Sequence, residues 1–226
     1  MRNKNFDEYA EDYDTILKKK LKVFGEETDY YAESKIRIIQ ENIRKSPARI
    51  LEFGCGIGTN IRWLLDFFPN ASVFGCDVSE RSLEKASSRY QSVNFFPIKD
   101  DCIDPSGRFD VVLVANVFHH IPPEQREETM KKLAKYVADG GEIFIFEHNP
   151  CNPLTRYIVH ICPFDKDVTL LWPKETRCLC DRAGFKVVSR KYILFFPSFL
   201  KKLRSLEAKL GWLPLGGQYY VHARKQ

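Results

Sequence analysis

The chain has 226 residues, 44% of them apolar, and a formal charge of +5 at neutral pH. That length suits one domain with a sizeable core, and the modest charge falls short of an argument for nucleic acid, though it favours an anionic partner. The N-terminal MRNKNFDEYAEDYD carries no apolar signal segment, no run approaches a membrane-spanning helix, and no aromatic and basic RNA-binding signature occurs, so a cytoplasmic protein is expected.

Taken in order, Phe6 to Leu21 reads as a helix, with Phe6, Tyr9, Tyr13 and Leu17 at helical spacing, and a second helix is expected from about Thr28 to Lys45. Pro47 ends it, and RILEFGCGIGTN, Arg49 to Asn60, follows. Ile50, Leu51 and Phe53 read as a buried strand, while Gly54, Gly56 and Gly58 mark a tight turn that lets a ligand approach closely. Ile61, Leu64, Leu65 and Phe68 then fall at helical spacing, so the glycines join a strand's carboxyl end to a helix's amino end. Such junctions bind nucleotide-like ligands in open α/β sheets.

The spacing ExGxGxG matches neither the dinucleotide pattern GxGxxG nor the P-loop pattern GxxxxGK[ST], which disfavours a nicotinamide oxidoreductase and a nucleoside triphosphatase. A nucleoside without phosphates fits better. Glu52 at the strand's end would repel a pyrophosphate and suits an ammonium group. The next strand, SVFGCD, delivers Asp77 about 20 residues past the glycines, the usual place of a ribose-hydroxyl acceptor. Ser79 caps a helix through Tyr90, Val93 to Pro97 is a third strand, and the turn Asp100, Asp101, Cys102 comes after it. Phe109 to Asn116 is the most strand-like run. Beyond it lie Val117, Phe118, His119, His120 and Ile121, a helix from Pro122-Pro123 to Ala138, a turn at Gly140 and Gly141, and a strand from Glu142 to Glu147.

Residues 149–174, rich in Pro and aromatics, are too long for a simple connection and read as a lid over an acceptor site. A helix from about Pro173 to Ala183, the strand after Gly184 and the closing QYYVHARK follow. Between the last strands, residues 197–217 set Phe199, Leu200, Leu203, Leu206 and Leu210 on one helical face beside Phe195 and Phe196, with Lys201, Lys202, Arg204 and Lys209 elsewhere and Trp212 beyond. Two readings stay open: an amphipathic helix packed on the domain or at a dimer contact, and a helix at a membrane surface through 195–213. Seven cysteines suit a reducing compartment better than a disulfide framework. Cys178 and Cys180 point to different helix faces, and no metal is expected.

From Phe6 to about Glu147 the chain resembles the class I S-adenosylmethionine-dependent methyltransferases, through ExGxGxG, the acidic end of the second strand, the Asp after the third, FDxVxxxxVxHHI after the fourth and GGxxxxxE at the fifth. The resemblance implies an α/β, Rossmann-like fold: a seven-stranded, mostly parallel sheet with helices on both faces, an antiparallel last strand and an N-terminal helical cap. One domain over 1–226 is expected, with a cap at 1–46, a cofactor-binding core at 47–148, the lid at 149–174 and C-terminal strands at 175–226. It implies S-adenosylmethionine as cofactor and S-adenosylhomocysteine as product. Gly54, Cys55, Gly56 and Gly58 would lie against the methionine part with Glu52 beneath, Asp77 and Val78 by the ribose, Asp101 and Cys102 at the adenine, Asn116 by the methionyl group and Tyr13 closing over it.

The reaction implied is in-line displacement of the sulfonium methyl by an acceptor, where alignment supplies much of the rate and a base removes the acceptor's proton. His120, paired with Tyr9 or Tyr13, is the candidate base, with His119 next. Glu147 and His148 would orient the acceptor or cap the loop. The [DNS]PP[YF] signature of base-nitrogen methylation is absent, so the acceptor is expected to be a small or lipid-linked molecule, methylated at oxygen or nitrogen, and no nucleic acid is favoured. The alternative is a non-catalytic, cofactor-binding partner or regulatory protein.

Overall fold

The computed structural model describes residues 28–98, 107–162, 165 and 168–226. The helix expected at Phe6 to Leu21, and with it Tyr9 and Tyr13, lies outside the described residues, as do Asp101 and Cys102. Among the described residues, seven strands form one sheet in the order β3-β2-β1-β4-β5-β7-β6. The chain divides into two compact units, Met1–Leu113 and Val114–Gln226.

In the first unit, α1 (Thr28–Asn42) precedes β1 (Arg49–Phe53), α2 (Ile61–Phe67), β2 (Ser72–Asp77), α3 (Glu80–Arg89) and β3 (Asn94–Pro97), and β4 (Phe109–Ala115) begins here. Ala32, Ile36 and Ile39 of α1 are buried at helical spacing, and each such aliphatic side chain contributes about 1.5–3 kcal/mol when fully removed from water. β1 and β2 pair in parallel, Ile50 beside Val73 and Phe53 beside Cys76, and β2 pairs in parallel with β3. The Asp110 carboxylate accepts from the backbone N–H groups of Ala48 and Arg49 at 2.8 and 3.0 Å, holding the start of β1. Above it the Arg49 guanidinium lies 4.9 Å from the rings of both Phe74 and Phe109, a cation–π arrangement. Ser79 caps α3 as its sequence suggests, its side-chain oxygen accepting from the Ser82 N–H at 3.1 Å.

The second unit continues with a 3₁₀ turn at Phe118–His120, α4 (Pro123–Tyr136), β5 (Val137–His148), α5 (Pro153–His160), α6 (Pro173–Arg182), β6 (Phe185–Ile193), a 3₁₀ stretch at Ser198–Leu206, α7 (Glu207–Leu210) and β7 (Gln218–Lys225). β7 runs antiparallel to both β5 and β6. Ile143, Phe144, Ile145 and Phe146 are all fully buried, so both faces of β5 are covered and the strand reads as a continuous apolar run. On α6, Cys178 is exposed and Cys180 buried, as their spacing requires.

Two expectations for the C-terminal third change. Within residues 149–174 the structure builds α5, capped by Asn152, whose side chain accepts from the Thr155 N–H at 3.1 Å. Buried Asn149 donates from its side chain to the carbonyls of Pro214 and Gly216 at 3.1 and 2.7 Å, so this segment is tied to the insertion that follows β6. That insertion is not one regular amphipathic helix. Leu200 departs from helical geometry (φ −109, ψ 19), and α7 has only four residues. The Glu207 carboxylate accepts from the N–H groups of Leu194, Phe195 and Phe196 at 3.0–3.2 Å, so anchors at its ends set this loop rather than helix propensity. Phe195 and Phe196 are half-buried rather than exposed, whereas Phe199, Leu203 and Leu206 face outward.

Gly75, in the middle of β2, carries a packing demand. A Cβ there would lie 2.7 Å from the Phe95 ring and 2.9 Å from the Cys55 Sγ. Gly75→Ala is expected to destabilise the fold by about 1–3 kcal/mol through overpacking, read as a lower denaturant midpoint at unchanged slope.

Candidate active site

β1 ends in the glycine turn, and all three glycines adopt left-handed backbone, φ 73 at Gly54, 52 at Gly56 and 82 at Gly58. Any residue with a Cβ is strained there. The N–H groups of Gly54 and Cys55 both donate to the Cys76 carbonyl, at 2.8 and 3.0 Å, so the turn is hung from the end of β2. A Cβ on Gly56 would meet open space, whereas one on Gly58 would lie 3.0 Å from the Tyr90 ring. The turn is thus open at Gly56 and closed against α3 at Gly58.

Asp77 completes this arrangement. One carboxylate oxygen accepts from the Gly56 N–H at 2.8 Å and the other from the Ser79 N–H at 2.9 Å. Each oxygen has a further lone pair, so the group can hold the turn and still accept from hydroxyls of a ligand. Val78 beside it is 58% exposed. Cys55 is buried, and burial, with the charges of Glu52 and Asp77 next, pushes its thiol far above the ordinary range, which removes it as a nucleophile.

Glu52 is almost wholly buried. Its Oε1 accepts from the Asn60 side-chain amide at 2.5 Å, while Oε2 is buried with no hydrogen-bond partner among the described residues. Burial raises its carboxyl to about 8 against the pull of Asn60 and Lys35. Lys35, buried on the apolar face of α1 and donating to the Tyr31 carbonyl at 3.3 Å, is lowered by burial to about 8. A buried carboxylate oxygen without a donor is the chemical complement of a ligand's ammonium group. The open glycine turn, the acidic end of β2 and this oxygen together fit an amino-acid-bearing nucleoside.

In the second unit, Glu147 at the end of β5 is fully buried. Its Oε1 accepts from the N–H groups of Val117 and Phe118 at 3.1 and 2.7 Å, and its Oε2 lies 2.6 Å from His119 Nδ1. Glu147 therefore caps the turn after β4, one of the two roles expected of it, and orients one histidine, a role the sequence did not suggest. His119 is buried; burial alone would lower its pKa, but Glu147 and Asp165 outweigh it and raise it to about 9. His119 carries its proton at neutral pH and is no base in this setting. His120, whose ring lies 4.1 Å from that of His119, is more open to solvent. Burial opposes ionisation of Asp165, yet His119 and His148 hold it well below the ordinary carboxylate range. Asn116 has left-handed backbone (φ 57), donates its N–H to the Phe146 carbonyl at 2.8 Å, and its side-chain oxygen accepts from Gln218 at 3.3 Å.

Asn60, Lys35 and Asp165 were not singled out from the sequence. Lys35 left a signal, a cation among Ala32, Ile36 and Ile39; Asp165 left none, since nothing in its segment fixes where it points.

Residues 51–143 match a family model described as a methyltransferase domain. Residues 51–143 thus carry a methyltransferase domain. The chain is 32% identical over 108 residues to the tRNA N(3)-methylcytidine methyltransferase trm141 of Schizosaccharomyces pombe, covering 44% of each chain. It is 28% identical over 111 residues to the tRNA N(3)-cytidine methyltransferase METTL2 of Mus musculus, covering 44% of this chain and 28% of that one. The chain thus spans less than half the length of these curated relatives. Its fold is similar to that of a SAM-dependent methyltransferase from Archaeoglobus fulgidus, with a TM-score of 0.66 and 17% identity over 87% of this chain and 94% of that one.

These relatives overturn the expectation of a small-molecule or lipid-linked partner with no nucleic acid, because both are named for tRNA. That expectation used local composition and one missing tetrapeptide, and neither reports how surface charge is arranged in space. The membrane-surface contact expected through 195–213 gains no support. Among the described residues no helix is long and apolar enough to cross a membrane.

The domain's cofactor pocket should show its strain in pH. The Glu52 carboxyl titrates near 4.5 when unfolded and about 8 when folded, so between those values only the folded protein holds the proton and rising pH favours unfolding. Lys35 acts in the opposite sense, adding stability only between about 8 and 10.5. Glu52→Gln is therefore expected to lose less stability than wild type from pH 5 to 8 in thermal melts without ligand. It should also bind S-adenosylmethionine at least ~10-fold more weakly by calorimetry, having lost a charge-assisted bond.

Proposed function

We propose that this protein transfers the methyl group of S-adenosylmethionine to a ring nitrogen of an RNA base, with tRNA cytidine as the first candidate. The observation that carries this reading is the likeness of the domain to two enzymes named as tRNA N(3)-cytidine methyltransferases. The formal charge of +5 agrees with a polyanionic acceptor. The cofactor would be held at its ammonium by Glu52, along its backbone-facing side by Gly54, Cys55, Gly56 and Gly58, and at the ribose by Asp77 and Val78. Tyr13, Asp101 and Cys102 are proposed for the nucleoside on the family pattern alone, and Asn116, with its strained backbone, for the methionyl end.

When bound, the cofactor supplies an electrophilic methyl on a sulfonium. An unmodified cytosine N3 brings its own lone pair and no proton, so the attack needs alignment and desolvation more than a base. This changes the part proposed for His120 from proton acceptor to a group that orients the base. His119, held as a cation by Glu147, would tune the charge around it, and Tyr9 remains a candidate to close over the acceptor.

Tritium transfer from labelled S-adenosylmethionine to unmodified tRNA transcripts tests the reading. Wild type is expected to label tRNA at cytidine, and Asp77→Ala, which removes both the ribose acceptor and the support of Gly56, to lower kcat/KM by a factor of at least ~100. No label in RNA from protein that binds the cofactor would overturn the nucleic-acid acceptor and leave the methyltransferase domain standing.

A further inference from the structure

Among the described residues, His119, His120 and Asp165 bring ligand atoms within 4.8 Å of one another. Asp165 Oδ1 lies 3.4 Å from His119 Nε2 and 3.6 Å from His120 Nε2. Both separations are long for an N–H···O hydrogen bond, although Asp165 still pairs with His119. They match instead the edge of a coordination tetrahedron: ligands about 2.1 Å from one ion at tetrahedral angles stand about 3.4 Å apart.

The surroundings also suit a metal. His119 Nδ1 lies 2.6 Å from Glu147 Oε2, an arrangement in which the ring donates to the carboxylate and turns Nε2 toward the other two ligands, where an incoming ion would displace the Nε2 proton to solvent. Glu147 is itself immobilised by the Val117 and Phe118 N–H groups. The ring of His148 stands 5.0 Å from that of His119, close enough to line the same site. Elsewhere in this unit Arg126, fully buried, donates to the carbonyls of Ile121 and Thr169 and to Glu175.

We propose that His119, His120 and Asp165 bind one divalent transition-metal ion of the zinc type, with Glu147 orienting His119 and at least one coordination position left for water or another ligand. Two imidazoles and one carboxylate select such ions over magnesium or calcium, which prefer all-oxygen shells. A metal bound there would use the His120 lone pair, so the orienting part proposed above for His120 would pass to the ion. The inference stands apart from the choice of acceptor, because binding is read without turnover.

The test is titration of the chelator-treated full chain with zinc chloride by calorimetry and with cobalt(II) by visible absorption. One equivalent of each ion is expected, with cobalt giving the intense visible bands of a tetrahedral nitrogen and oxygen site. Asp165→Ala and His120→Ala should each weaken binding at least tenfold while keeping the wild-type circular dichroism spectrum, Asp165→Ala melting at a lower temperature without metal because it removes the ion pair with His119. Absence of one-equivalent binding, or binding that both variants leave unchanged, as exposed Cys151 and Cys178 would give, would overturn the site.

Discussion

The buried carboxylate of Glu147 is the interaction on which the turn after β4 depends. A lone carboxylate in that position would cost several kcal/mol, and it is tolerated because two backbone N–H groups and one imidazole meet it at 2.6–3.1 Å. The same bonds decide three things at once. They close the turn after β4, they orient the ring of His119 and, together with Asp165, they raise its pKa to about 9 against its burial. Neighbouring His120 takes the more open side of the pair.

The first unit solves a similar problem differently. Asp77 is satisfied by two backbone N–H groups and so doubles as a brace for the glycine turn. Glu52 is left half-satisfied, one oxygen bonded to Asn60 and the other without a donor. Burial then drives its pKa up to about 8. A site that keeps a polar group short of partners sacrifices stability in the free protein and recovers it only when a complementary ligand arrives. This is a physical reason to place the ligand's ammonium at Glu52 rather than elsewhere along the turn.

The histidine pair shows how one constellation admits distinct chemistries. With protons on His119, the cluster is a charged hydrogen-bonded network; with an ion between the Nε2 atoms and Asp165, it becomes a metal centre whose outer support is already built. A ring-nitrogen acceptor, as proposed, would not need a base, and the histidines would then be available for electrostatic or coordinating work. The exposed apolar residues of 198–206 carry no such assignment.

Much of the fold was legible in the sequence because it follows from local rules. Alternation of apolar strands with helical periods, the three glycines, the Ser79 cap and the acidic end of β2 each appear where spacing alone puts them. So does the separation of Cys178 from Cys180. The nature of the nucleoside ligand was legible too, since glycine spacing and one acidic residue exclude phosphates by simple electrostatics. What only the tertiary structure decided was which charges are buried and what they meet. Lys35 beside Glu52, Cys55 against Gly75, the capture of His119 by Glu147 and the approach of Asp165 to two histidines all join residues distant in the chain or on different elements. The 198–206 stretch leaves helical geometry at Leu200, and Glu207 beyond it reaches back to the amides of Leu194, Phe195 and Phe196. Contacts of that kind depend on long-range packing, which periodicity does not encode.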